Sequence, residues 1–333
     1  MKNVAILFSL IAATTACKKK PAEKAPEPTA GSGSGSAATP PVAGSAGSGS
    51  AGSAAAAPAA WDGKSPLSLT DGFQTPESVL YDPDADTYYV SNINGEALGA
   101  DDNGYISKVS PEGKVTEQKW IDGAKDNITL NAPKGLAIAG GILYVADIDT
   151  VRKFDVKTGE PKGEIKIAGA TFLNDVAPAP EGGVYVTDSG LDAKFGPTGT
   201  DAIWQIGKDD KAKALIKDKK LSGPNGIVAG DKGEVWVVTF GSGEIYSVDA
   251  KGKQQKGQKL PKGQCDGIVD LALGDFLVSS WEGQAIYRGR LGGEWKAVVE
   301  NVKSPADIGY DTKRHRILIP VFQGNTVIIQ PTE

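Results

Sequence analysis

Residues 224–239 read PNGIVAGDKGEVWVVT: a polar pair, a short apolar strand, a turn, then a second strand, Val235 to Thr239, rich in valine with one tryptophan. Valines and aromatics at alternating positions suit a pleated, half-buried surface. Five further copies surround this unit. Their motifs are Pro76-Glu77-Ser78-Val79, Pro133-Lys134-Gly135-Leu136 and Leu173-Asn174-Asp175-Val176 upstream, then Cys265-Asp266-Gly267-Ile268 and Ala306-Asp307-Ile308-Gly309 downstream. The second strands that follow are YYVSN (88–92), LYVAD (143–147), VYVTD (184–188), FLVSS (276–280) and ILIPV (317–321). From second motif residue to second strand the step is 11, 9, 10, 10, 10 and 10 residues, and from unit to unit 57, 40, 51, 41 and 41. Short strands repeating at this period, with almost no helical periodicity, predict an all-β, six-bladed β-propeller.

Third strands follow in every unit, among them Tyr105 to Lys108, Ile203 to Ile206 and Val327 to Ile329. A fourth, such as Ala212 to Lys217 or Trp295 to Glu300, is readable in blades one to five, whereas the sequence stops at Glu333 straight after the sixth blade's third strand. Lys64 to Thr70 (KSPLSLT) leads into Pro76-Glu77 much as Trp295 to Val302 leads into Ala306-Asp307. This N-terminal strand is therefore expected to complete blade six and remove two exposed sheet edges.

The propeller takes up residues 61–333, enough for one ring. Ahead of it, residues 1–16 carry Lys2, an apolar run from Val4 to Ile11 and small residues before Cys17, the pattern of an export signal. Thr14-Thr15-Ala16-Cys17 resembles a bacterial lipobox, which makes Cys17 the expected lipidation site; an ordinary secretory signal with an incidental cysteine is the alternative. Acyl chains, at roughly 0.8 kcal/mol per buried methylene, would anchor the chain to a membrane. Lys18 to Lys20 would add attraction to anionic headgroups, and Lys18 after the cysteine favours the outer membrane of the cell envelope. Most of the rest of 17–60 is Gly, Ser, Ala and Pro, a composition that cannot bury a core and reads as a disordered tether with a reach of roughly 35 Å. With Cys17 lipidated, Cys265 has no partner and reads as a buried filler. Net charge is −5, and no basic stripe with interleaved aromatics occurs, which argues against nucleic acid as a partner. A monomer is expected.

The inner strand of each blade lines the axis of a propeller, so the second motif residues Glu77, Lys134, Asn174, Asn225, Asp266 and Asp307 should face it near one mouth. Oxygen-bearing side chains gathered there would repel one another when bare. A hard divalent cation such as Ca²⁺, which takes six to eight oxygens at about 2.3–2.6 Å, resolves the conflict. The plainer alternative is that Asn-Gly and Asp-Gly pairs are turn formers that cap strands. Two longer connections, Ile93 to Asn103 and Ser189 to Asp201, should emerge on the same face and form a lid. The only histidine, His315, lies between Arg314 and Arg316 at the start of a strand, a solvated position that excludes a Ser-His-Asp triad or a histidine dyad.

With PESV, LNDV, PNGI and CDGI in register, the chain resembles the senescence marker protein (regucalcin) and gluconolactonase family of six-bladed propellers. The resemblance implies a divalent metal, calcium by expectation, on Glu77, Asn225 and Asp266, with Asn174 and its neighbour Asp175 as substrate contacts. It implies metal-assisted hydrolysis of a small-molecule lactone or ester, with Asp266 or a second carboxylate as the catalytic proton acceptor. Cys265 stands where the family usually has proline, and Thr171 or Phe172 where many members have an arginine. The competing expectation is a propeller without enzymatic activity that binds a protein, peptide or glycan at the channel mouth.

Overall fold

The computed structural model describes residues 61–272 and 274–332. The expected signal (1–16), Cys17 and the tether (17–60) lie outside the described residues, within which no helix is long and apolar enough to cross a membrane.

Six antiparallel four-stranded sheets form the blades of a β-propeller. In blade four the strands run Pro224–Ala229, Val235–Thr239, Glu244–Val248 and Gln258–Lys259, in that order from inner to outer edge, and blades one to three and five repeat this consecutive order. Blade six departs from it. Gly309–Asp311, Arg316–Val321 and Thr326–Pro331 are followed outward by Leu67–Leu69, with Leu67 opposite Ile329 and Leu69 opposite Val327. The ring is thus sealed by a strand from the other end of the domain, and blade six keeps no bare outer edge on its third strand.

The apolar core is divided. Six clusters of buried residues each join two neighbouring blades: Val176, Val184 and Ile206 of blade three pack on Tyr144, Val151 and Ile165 of blade two, and the pattern recurs around the ring. At about 1.5–3 kcal/mol per fully buried large apolar side chain, these interfaces are the main favourable term holding the blades together. The junction of blades six and one adds charge. Arg314 binds Asp86 at 2.6 Å and Asp311 at 3.0 Å, and Tyr88 donates to the same Asp311 carboxylate at 2.6 Å.

The inner strands of blades one to five carry a bulge at their motif. In blade four Pro224 lies opposite Thr239 and Ile227 opposite Val237, so three steps on the inner strand face two on its neighbour, and blades one, two, three and five share this irregularity. A bulge adds one residue and re-aims the side chains around it. Here that changes where the second and third motif residues point.

Candidate functional site

The second motif residues of blades one to five, Glu77, Lys134, Asn174, Asn225 and Asp266, line one pocket at the ring axis, and all are at least 95 % buried. Asp307, the sixth, does not line it. Its carboxylate accepts a 2.5 Å hydrogen bond from Ser78 Oγ, and its backbone bridges to blade one through Asp307 N to Glu77 O at 2.9 Å.

Four oxygens in this pocket have no hydrogen-bond donor: Glu77 Oε2, Asn174 Oδ1, Asn225 Oδ1 and Asp266 Oδ1. An unsatisfied buried polar atom costs about 1–3 kcal/mol, more when charged, so four around one pocket call for a shared partner. Among the described residues no three His, Cys, Asp or Glu side chains are grouped as for a metal ion. Two carboxylates plus two carboxamide oxygens form a hard-donor set that fits Ca²⁺ rather than zinc. The cavity between them is small, on the scale of an ion rather than of a whole substrate.

Electrostatics agree with this crowding. Burial pushes the Glu77 carboxyl well above the usual carboxylate range, and the charges of Asp266 and Asp307 push it further. Burial and then Asp307 do the same to Asp266, with Trp281 and Asn225 acting in the opposite direction. Lys134 is the pocket's cation; burial draws its ammonium down to about 8.

Asp175 corrects the expectation made of it. It is as buried as Asn174 but does not line the pocket: its carboxylate accepts from Ile227 N of blade four at 2.7 Å and from Val176 N at 2.6 Å. The bulge sends it sideways, where it clamps two blades. A substrate contact is therefore not available to it. Hydroxyls of the second strand join the same interblade seam: Thr187 Oγ1 accepts from Asp175 N and donates to Asn225 O, and Ser279 Oγ accepts from Gly267 N and donates to Ala306 O.

The Asn-Gly and Asp-Gly pairs are not turns. Gly226 and Gly267 lie inside strands without positive φ, and a Cβ would stand 2.4 Å from Asp266 O and from Ile308 N respectively. Glycine is needed there because the next blade's motif passes too close for any side chain.

The walls are aromatic. Phe240, Trp281 and Phe322 each follow directly on a second strand, and Ile93 holds the equivalent place in blade one. Phe240 meets Trp281 edge-on at 5.5 Å, and Trp281 meets Phe322 at 5.1 Å. Sequence reading stopped at the strand ends and missed this collar, although a bulky apolar residue at one fixed repeat position was the signal. Both long connections reach the pocket, Ala97 from blade one and Leu191 and Phe195 from blade three. Phe195, at φ 59 and 48 % exposed, forms the outer lip over Phe172.

Two residues lie outside this constellation. His315 is exposed, occupies a turn at φ 52 rather than a strand, and its Nδ1 is 3.3 Å from Tyr310 Oη. Cys265 is free and fully buried, with its thiol pushed up to about 12 by burial.

No protein-family profile matches the sequence, and no curated protein sequence matches it. Solved structures do share the fold. A gluconolactonase from Xanthomonas campestris is 18 % identical, with a TM-score of 0.59 over 80 % of this chain and 89 % of that one. A streptogramin B lyase is 11 % identical, with a TM-score of 0.57 over 79 % and 97 %. The virginiamycin B lyase of Staphylococcus aureus, in a histidine-to-alanine form described as catalytically inactive and bearing quinupristin, is 15 % identical with a TM-score of 0.54 over 79 % and 97 %.

Proposed function

We propose that this chain is a divalent-metal-dependent hydrolase of small lactones or esters, with Glu77, Asn225 and Asp266 as ligands of a cation, calcium by preference, and Asn174 beside it as a substrate contact. The carrying observation is the convergence of four buried, donor-less oxygens on one pocket. A bound divalent cation supplies carbonyl polarisation and a more acidic water.

The chain's own residues supply the rest. Asn174 Nδ2 donates to Ser189 Oγ at 3.0 Å, which fixes the amide and leaves its Oδ1 for the pocket. Asp266, buried in the pocket beside the site a cation would take, is placed to accept the proton of an attacking water. The cavity admits only a reacting group, so the body of the substrate rests against Phe240, Trp281 and Phe322. Among the fold's neighbours, the gluconolactonase agrees with this chemistry. A histidine-dependent lyase does not, because His315 stands outside the pocket.

The test is calorimetric titration of calcium into chelator-treated protein, followed by a lactone and ester screen with and without chelator. Calcium binding and a hydrolytic activity, both lost in Asp266→Ala, are expected. A protein that binds no divalent ion and hydrolyses nothing in the screen would instead be the binding module for a protein, peptide or glycan. For placement, we propose lipidation at Cys17, a tether over 17–60 and attachment of a monomer to the cell envelope, supported by the export-signal pattern before Cys17. Labelling with a radioactive fatty acid, abolished in Cys17→Ser, checks it.

A further inference from the structure

Lys134 holds the repeat position at which the neighbouring blades place Glu77, Asn174, Asn225 and Asp266, yet its charge is opposite. It is 1 % exposed. Its Nζ donates to Ala132 O at 2.9 Å and to Ala97 O, in the blade-one connection, at 2.8 Å, and it stands 4.7 Å from the centre of the Phe172 ring. Two of its three N–H groups are thereby used on carbonyls. Among the described residues no carboxylate stands within salt-bridge distance of it; Asp147, on the same blade, is taken by Arg152 at 2.9 Å.

We infer that Lys134 is the anion-recognition residue of the pocket, and that the molecule bound there carries a carboxylate or an equivalent singly charged anionic group. This rests on the proposed cation site and deepens it. With a divalent cation on Glu77 and Asp266 those carboxylates are occupied, and Asp175 and Asp307 are tied to backbone N–H groups and to Ser78, so none of the four pairs directly with the ammonium. Lys134 is then a desolvated ammonium with one N–H left over and no carboxylate in contact, an arrangement that costs free energy until an anion pairs with it. The same face offers flat apolar surface on Trp281 and Phe240. The fitting ligand is thus a small acid with an apolar or planar body.

The test compares benzoate with benzamide, alike in shape and unlike in charge, by calorimetry on the calcium-loaded full chain. Benzoate is expected to bind at least about tenfold more tightly, in the range of a charge-assisted hydrogen bond. Lys134→Met should bring the two within about twofold, and Lys134→Arg should keep the preference. A wild type that does not discriminate, or a Lys134→Met variant that still does, overturns the inference; the latter result would assign the preference to the cation. Should Lys134→Met fail to fold by circular dichroism, Lys134→Gln takes its place in the comparison. Calcium titration of the same samples separates the two readings. Calcium binding without benzoate preference removes only the role of Lys134, whereas a Lys134-dependent preference without calcium binding removes only the cation site.

Discussion

Asn174 and Asp175 are adjacent, similar in size and equally buried, yet one leaves an oxygen unpaired in the axial pocket while the other has both oxygens bound to backbone N–H groups. The same contrast runs through the repeat. In four blades the second motif residue presents an unmet acceptor to the axis, whereas the third motif residues of blades one to five are glycines pressed against the next blade, Gly135, Gly226 and Gly267, or polar side chains tied to a neighbouring one, as Asp175 is to Ile227 and Ser78 to Asp307. Burial of a polar group therefore does not by itself mark a working residue in this fold. An unmet hydrogen-bonding capacity does.

The sharpest way to break this contrast is to fill a third position. Gly226→Val would force a side chain against the carbonyl of Asp266, and should destabilise the domain by about 3 kcal/mol in urea unfolding; a change under about 0.5 kcal/mol would mean the blades do not abut there. Next comes the paired comparison. Asp175→Ala strands the N–H of Ile227 and should cost about 2 kcal/mol while leaving calcium affinity within about threefold, whereas Asn174→Ala should cost under about 1 kcal/mol and lose activity. Equal stability losses would erase the distinction.

Asp266→Asn removes a charge crowded by Glu77 and Asp307, so in chelator it should be neutral or more stable than wild type by about 1 kcal/mol while losing calcium binding. A clear loss of stability would show that the carboxylate is structural. The contrast can also be tested with pH. Glu77, Asp266 and Asp307 have raised folded values, about 7 for Asp307, so the folded state holds their protons more tightly than the unfolded chain. Their stabilising contribution is complete below the unfolded value near 4 and is lost as pH rises through the folded one. The melting temperature in chelator should decline from about pH 4.5 to 8, and calcium should flatten the upper part of that decline. A rise over the interval would contradict the assignment.

Much of the architecture was readable because the repeat is rigid in its spacing. The apolar runs at 88–92, 143–147 and 184–188 lie in second strands, and KSPLSLT supplies the strand that completes blade six. The alignment that put Glu77, Asn174, Asn225 and Asp266 in one column also brings them to one pocket. What could not be read was direction. Strand alternation separates Asn174 from Asp175, and Asp175 looked like a second contact only because it adjoins Asn174, as Asp307 looked like a sixth pocket residue because it shares the repeat position. Gly226 and Gly267 were equally opaque. A glycine kept for a close neighbour and one kept for a turn are the same letter, and only the packing of the next blade separates them.

The pairing of Leu67 with Ile329 also dictates an order of assembly. Hairpins within each blade join residues at most 22 positions apart, as Val184 and Ile206 are, and can form while the polypeptide is still being translated, but these two partners are about 260 residues apart. Refolding should accordingly end in a slow phase, one that disappears when residues 61–72 are transplanted behind Glu333 so that every pairing becomes local. The last strand of the propeller to dock is thus the first of its strands to be synthesised.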